Sequence, residues 1–167
     1  GSSFNIDSKD EENYKAKVAS FILGGSGFGS RLMEEIRVKR GLAYSAYGSI
    51  SINKSHSYFN GYLQTKNETS DEAKKLVGEI IEDFVKNGVT QDELSAAKNF
   101  LTGSEPLRSE TLSQRLSRAF TLYYRGLEPD YSKKELEKIQ TLELTDLNNY
   151  IKSHSEINNL TFSIVRK

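Results

Sequence analysis

The chain has 167 residues, 23 lysines and arginines against 23 aspartates and glutamates, and no cysteine. That length suits one domain burying about 70% of its unfolded surface, and the cancelled charge supplies no overall field toward nucleic acid or an anionic membrane. Missing thiols exclude a disulfide framework, a thiolate zinc site and a cysteine nucleophile, and no apolar run approaches the ~20 residues needed to span a bilayer.

The opening "GSSFNIDSKDEENYK" lacks the apolar stretch of a signal peptide. "GSS", residues 1–3, reads as an expression scar, so 4–167 is expected to be a single domain cut from a larger protein. Its compartment is left open between bacterial cytoplasm and periplasm.

Tyr14, Val18, Phe21 and Ile22 fall at helical spacing, and "GGSG" at 24–27 is expected to end that helix. A second helix is predicted from Phe28 to Arg40, closed by Gly41. The period then changes to two: Tyr44, Ala46, Gly48, Ile50 and Ile52 are expected to share one strand face, and 44–65 to form an antiparallel hairpin about the turn "NKSHS". "TSDE" at 69–72 and "TQDE" at 90–93 are capping boxes opening two helices, with stripes Ala73, Leu76, Val77, Ile80, Ile81, Phe84 and Leu94, Ala97, Leu101.

Gly103 and Pro106 should kink or end the second of these, since proline lacks the amide hydrogen and crowds the preceding turn. Leu112, Leu116, Ala119, Phe120 and Tyr123 form a further stripe, stopped by "RGLEPD". "SKKE" at 132–135 should cap a short helix, Leu147, Tyr150 and Ile151 mark another, and the alternating "NNLTFSIVRK" should return as a strand. The order implies an α+β domain with helices on one face of a mainly antiparallel sheet. Three strands make a thin sheet, "FNID" can add only a fragment, and the domain reads as truncated at an N-terminal strand. An exposed or swapped sheet edge, with homodimerisation through it, is the expected consequence.

Chemistry is sparse. The histidines, His56 and His154, sit in a turn and near a helix end, read as solvated, and belong to no H-x-x-E-H motif, so no metal site is expected in this chain. No G-x-S-x-G marks a serine nucleophile. "GGSGFGSR" has Walker spacing between Gly24 and Gly29, but Ser30 stands where lysine is required and no strand precedes it. The acidic pairs lie on solvated helix faces. Among Arg31, Arg37, Lys39 and Arg40, the neighbours Glu34 and Glu35 offer partners, which argues against a nucleic-acid patch.

One corner stands out. Arg37 lies about one turn before Gly41, some 6 Å along the axis, and Tyr44 opens the strand folding back. A guanidinium and a phenol there could both project to one side as donors for carbonyl oxygens. On spacing alone a purely structural corner is the better reading.

The stretch "ILGGSGFGSRLMEEIRVKRGLAYSAYGSI", 22–50, resembles the second-domain signature of the pitrilysin or insulysin family of zinc metallopeptidases, relatives of the mitochondrial processing peptidase. "GVTQDELSAAKNFLTGS", 88–104, and the order of elements extend the likeness over nearly the whole chain. The resemblance implies two homologous α+β domains around a chamber, one carrying H-x-x-E-H and zinc, the other an arginine and a tyrosine seven positions apart. Arg37 and Tyr44 have that spacing, so the chain resembles the non-zinc domain. The resemblance implies that Arg37 and Tyr44 assist catalysis by binding peptide carbonyls, with Gly24, Gly25 and Gly27 as a loop at the chamber wall. It also implies a homologous zinc-bearing domain or subunit and a peptide as partners. A scaffold of the same fold without proteolysis, or a peptide-binding module using an open sheet edge, are the competing readings.

Overall fold

The computed structural model describes residues 1–165. In chain order they form β1 (Ser2–Ser3), α1 (Asn13–Ser20), α2 (Arg31–Met33), β2 (Ala43–Ser51), β3 (Tyr58–Thr65), α3 (Ser70–Asn87), α4 (Gln91–Gly103), α5 (Leu112–Arg125), α6 (Tyr131–Thr141) and α7 (Leu144–Ser153). Both α1 and α2 run on into wider π turns, at Phe21–Gly25 and Glu34–Val38. The strands make one antiparallel sheet in the order β1-β3-β2. This is the α+β arrangement expected.

The hairpin turns Ala46 and Phe59 inward, where they join Val18, Leu23, Ile36, Ile81, Leu94 and Leu147 in one core. Each fully buried leucine or isoleucine contributes about 1.5–3 kcal/mol. The first π turn lies directly on β2: a Cβ at Gly24 would come 2.5 Å from the Gly48 amide nitrogen. Two glycines facing each other let helix and strand backbones touch, which fixes the segment leading to the corner.

Several expectations need correction. The "GGSG" segment ends the first helix as expected, Gly24 and Gly25 completing its π turn and Ser26 capping it, but other boundaries shift. The second helix begins at Arg31, not Phe28: Ser30 is extended, and its hydroxyl accepts from the Met33 amide and donates to the Gly27 carbonyl. Thr69 does not cap α3; its hydroxyl meets that of Thr65 at 2.7 Å instead. Ser132 lies inside α6, where it accepts from Arg118. The Thr90 box is present in full.

The stripe of α5 is exposed: Leu112, Leu116, Phe120 and Tyr123 face outward, while Arg118 and Arg125 hold the helix to the body through Glu105, Ser132 and the Ser8 carbonyl. Periodicity identified the helix but not what would cover it. His154 is packed rather than solvated, stacked on Phe4 at 4.4 Å and bonded to Glu156. Residues 159–165 form no strand, although Gly1 and Thr161 exchange two backbone hydrogen bonds of 2.8 Å at the sheet edge. The rest of the expected terminal strand, 166–167, lies outside the described residues.

Candidate functional site

The corner is built by a tight closure of the second π turn. Leu42 donates back to the Ile36 carbonyl and Gly41 to that of Arg37, both at 2.9 Å, a wrap of the Schellman kind. Gly41 takes φ +60 with open space around it, the left-handed angle such a stop requires. Ile36, fully buried, anchors the turn, so its neighbour Arg37 is carried to the surface.

Strand β2 starts with an irregularity that decides where Tyr44 goes. Ala43 pairs with Thr65 and Ser45 with Gln64, leaving Tyr44 as an extra, unpaired residue. The bulge takes Tyr44 off the buried face shared by Ala46 and Gly48, where alternation had placed it, and leaves it 77% exposed. Bulges of this type re-aim a side chain and are common beside active sites.

Arg37 and Tyr44 are brought together. The Arg37 guanidinium carbon lies 4.9 Å from the centre of the Tyr44 ring and equally 4.9 Å from that of Phe28. Cation–π attraction of this kind contributes about 0.5–1 kcal/mol per exposed ring. Phe28 is 71% exposed on a loop whose flanking residues, Gly27 and Gly29, take φ +68 and +91. Sequence reasoning assigned Phe28 to a helix and missed it, although "GFG" was a signal: two glycines around an exposed aromatic.

The flat faces of the guanidinium are thus occupied by rings, and among the described residues no hydrogen bond or ion pair uses its edge. Its neighbours differ. Glu35 accepts from Lys39 and Arg40 at 2.5 and 2.6 Å, and the Lys39 hydrogen bond, then that of Arg40, lowers its carboxyl below the usual range. Arg31 turns to the other side of the helix and is bound by Glu93 and the Gly88 carbonyl. Of the four clustered cations, Arg37 alone keeps its donors available among the described residues.

The three glycines divide. Gly24 is buried against Gly48, and Gly25 packs on the Ser20 carbonyl, where a Cβ would come within 3.1 Å. Gly27 adjoins Phe28, and a Cβ there would meet Tyr47 at 3.6 Å. Only Gly27 of the three therefore borders the aromatic side of the corner. Among the described residues no group of three or more His, Asp or Glu side chains could hold a metal ion, so these side chains do not fit zinc.

A family model described as the peptidase M16 inactive domain matches residues 3–101. The chain belongs to the peptidase M16 family. It is 47% identical over 165 residues to a Helicobacter pylori protein named as the non-peptidase homolog YmxG, covering 99% of this chain and 38% of that one. An uncharacterized zinc protease of Mycobacterium bovis is 32% identical over 108 residues, 65% of this chain and 24% of the relative. A crystal structure of a peptidase M16 inactive domain from Pseudomonas fluorescens superposes with TM-score 0.82 at 29% identity, covering 93% of this chain and 37% of that one. This M16 domain thus spans well under half the length of those relatives.

Proposed function

We propose that this M16 domain holds the peptide in a zinc-dependent peptidase, supplying hydrogen-bond donors to a metal site on a homologous H-x-x-E-H half. The observation that carries the reading is the unspent edge of Arg37, clamped between Phe28 and Tyr44 at 4.9 Å from each ring. A guanidinium whose faces are fixed presents its N–H groups in one plane, suited to backbone carbonyls of an extended peptide. The Tyr44 hydroxyl can donate to the carbonyl oxygen under attack as charge develops on it. The metal would polarise that carbonyl and activate water from the other half.

A second reading is favoured by one observation: the 47%-identical relative bears the name of a non-peptidase homolog. In that case the domain is a scaffold for assembly. The two readings separate by adding the chain to a homologous H-x-x-E-H half and following cleavage of an unfolded peptide. The peptidase reading expects cleavage to require both halves and to fall with Arg37→Ala. Cleavage indifferent to this chain, or to that substitution, would overturn it in favour of the scaffold.

A further inference from the structure

The solvent face of α3 is charged, at Glu72, Lys75, Glu79, Glu82 and Lys86, and over the whole chain 28% of residues carry a charge. The hairpin breaks this pattern. With Ala46, Gly48 and Phe59 turned to the core, alternation sends every second residue from Ser45 to Ser51 and from Tyr58 to Gln64 outward. Each of those outward positions is serine, tyrosine, asparagine or glutamine, and none is charged.

Tyr47 and Tyr62 lie directly opposite each other in this face and are 47% and 62% exposed. Neighbouring strands lie about 4.8 Å apart, so the two rings make one aromatic surface. That surface is continuous with the Arg37 corner: a Cβ at Gly27, beside Phe28, would meet the Tyr47 ring at 3.6 Å. Tyr44 precedes Tyr47 by about 10 Å along the strand, the length of about three extended residues. A peptide whose carbonyl is held at the corner can therefore lay a side chain about three residues away over Tyr47 and Tyr62.

Rings set among hydroxyls and amides bind by apolar contact and adaptable hydrogen bonds, as antibody paratopes do. They offer no counter-ion. A lysine or glutamate enclosed against this face would lose water without gaining a partner, a cost that an aromatic or aliphatic side chain does not carry. The serines and amides between the rings also suit a chain that changes from one substrate to the next better than a fixed protein partner, whose interface core is more apolar.

We infer that the outward face of the β2 and β3 hairpin selects the substrate, preferring aromatic or aliphatic to charged side chains about three residues from the carbonyl held by Arg37. Tyr47 and Tyr62 set the preference. The inference rests on the reading of Arg37 as a peptide-binding group and adds to it the class of peptide.

The probe is an acetylated, amidated octapeptide of serine with phenylalanine at its third and fifth positions, compared with versions carrying lysine or glutamate there. The ring signals of isotope-labelled Tyr47 and Tyr62 and the Arg37 Nε–H are followed by NMR in the full chain. The phenylalanine peptide should move all of them and saturate, binding on the order of tenfold more tightly than either charged version. Tyr62→Phe should keep that order. Tyr62→Glu should weaken the phenylalanine peptide several-fold and raise the lysine peptide above it. Arg37→Ala should weaken every peptide and leave their order unchanged.

If Arg37 responds and the tyrosines do not, or if charged peptides move the tyrosines equally well, the inference falls and the Arg37 reading stands. If the tyrosines respond as strongly in Arg37→Ala, the Arg37 reading falls and the face remains a peptide site of its own. Silence of all these groups at millimolar peptide would overturn both. Tyrosine signals that move with protein concentration alone, or that move on adding the H-x-x-E-H half and then ignore peptide, would mean that protein covers the face and would overturn the inference.

Discussion

Arg31 and Arg37 are six positions apart on the same helical segment and are used in opposite ways. Arg31 reaches Glu93 through two nitrogens at 2.6 and 2.8 Å, donates to the Gly88 carbonyl at 2.7 Å and covers the Phe84 ring. Its donors are consumed in tying the α2 segment to the start of α4. Arg37 is touched on both faces by rings and on its edge by nothing among the described residues. Hydrogen bonds commit an arginine to the fold, whereas ring contacts fix its plane while leaving its chemistry unspent. The first arrangement serves stability and the second is fit for recognition.

The largest effect expected from this contrast is on folding. Arg31→Ala leaves the half-buried Glu93 carboxylate without its partner and should cost about 3 kcal/mol, as removal of one member of a sheltered pair does. Arg37→Ala should cost less, about 1–2 kcal/mol, the worth of two exposed cation–π contacts. Urea unfolding of both variants decides the matter; equal losses would erase the distinction between the two arginines.

Next comes Tyr44→Phe, measured with the homologous H-x-x-E-H half present. Removing one well-placed donor to a developing oxyanion should lower kcat about 100-fold. KM and the unfolding midpoint should change little, because the bulge leaves the hydroxyl in solvent and no core contact depends on it. A KM effect with unchanged kcat would make Tyr44 a binding residue only.

How much of this contrast could be read in advance depends on the range of the interaction that creates it. The Thr90–Glu93 cap spans three residues and stood in "TQDE"; the turn at Gly41 and the nearness of Arg37 to Tyr44 follow from helix geometry over seven. Arg31 finds Glu93 across 62 positions, and no local pattern carries that pairing. Tyr44 was assigned to the wrong face because a bulge shifts the period by one, and its cause lies partly in the partner strand. Residues 160–165 have a strand's alternation without forming one, since alternation does not by itself bring a partner strand within hydrogen-bonding reach. Sequence reasoning thus reached the corner but not the ring on its far side, Phe28, which it had assigned to a helix.

A smaller effect concerns acid. Burial alone would raise the Glu93 carboxyl, but the hydrogen bonds from Arg31 and Thr90 outweigh it and hold it below its ordinary 4.5. A carboxyl depressed in the folded state contributes stability above its unfolded value, and that stability is lost as pH falls through the folded one. The native chain should therefore lose stability as pH drops below about 4.5. Glu93→Gln should start lower at neutral pH and show a shallower acid slope. Identical slopes in the two proteins would detach the clamp from the acid response.

The smallest expected effect tests the ring that distinguishes the corner from the clamp. Phe28→Leu keeps an apolar side chain between Gly27 and Gly29 but removes one π face from Arg37, so the guanidinium loses the contact that fixes its plane on that side. Exposed substitutions of this sort shift stability by no more than about 0.5 kcal/mol, and the core is not touched. The NMR signal of the Arg37 Nε–H, displaced by ring currents from Phe28 and Tyr44, should move toward its ordinary position in Phe28→Leu and stay near the native one in Phe28→Tyr. In the paired protein KM should rise a few-fold with Leu and recover with Tyr, since a freely rotating guanidinium must give up rotamer entropy of about 0.5–1.5 kcal/mol on binding. A displaced signal with unaltered KM would mean that the aromatic clamp orders Arg37 but that no peptide uses it.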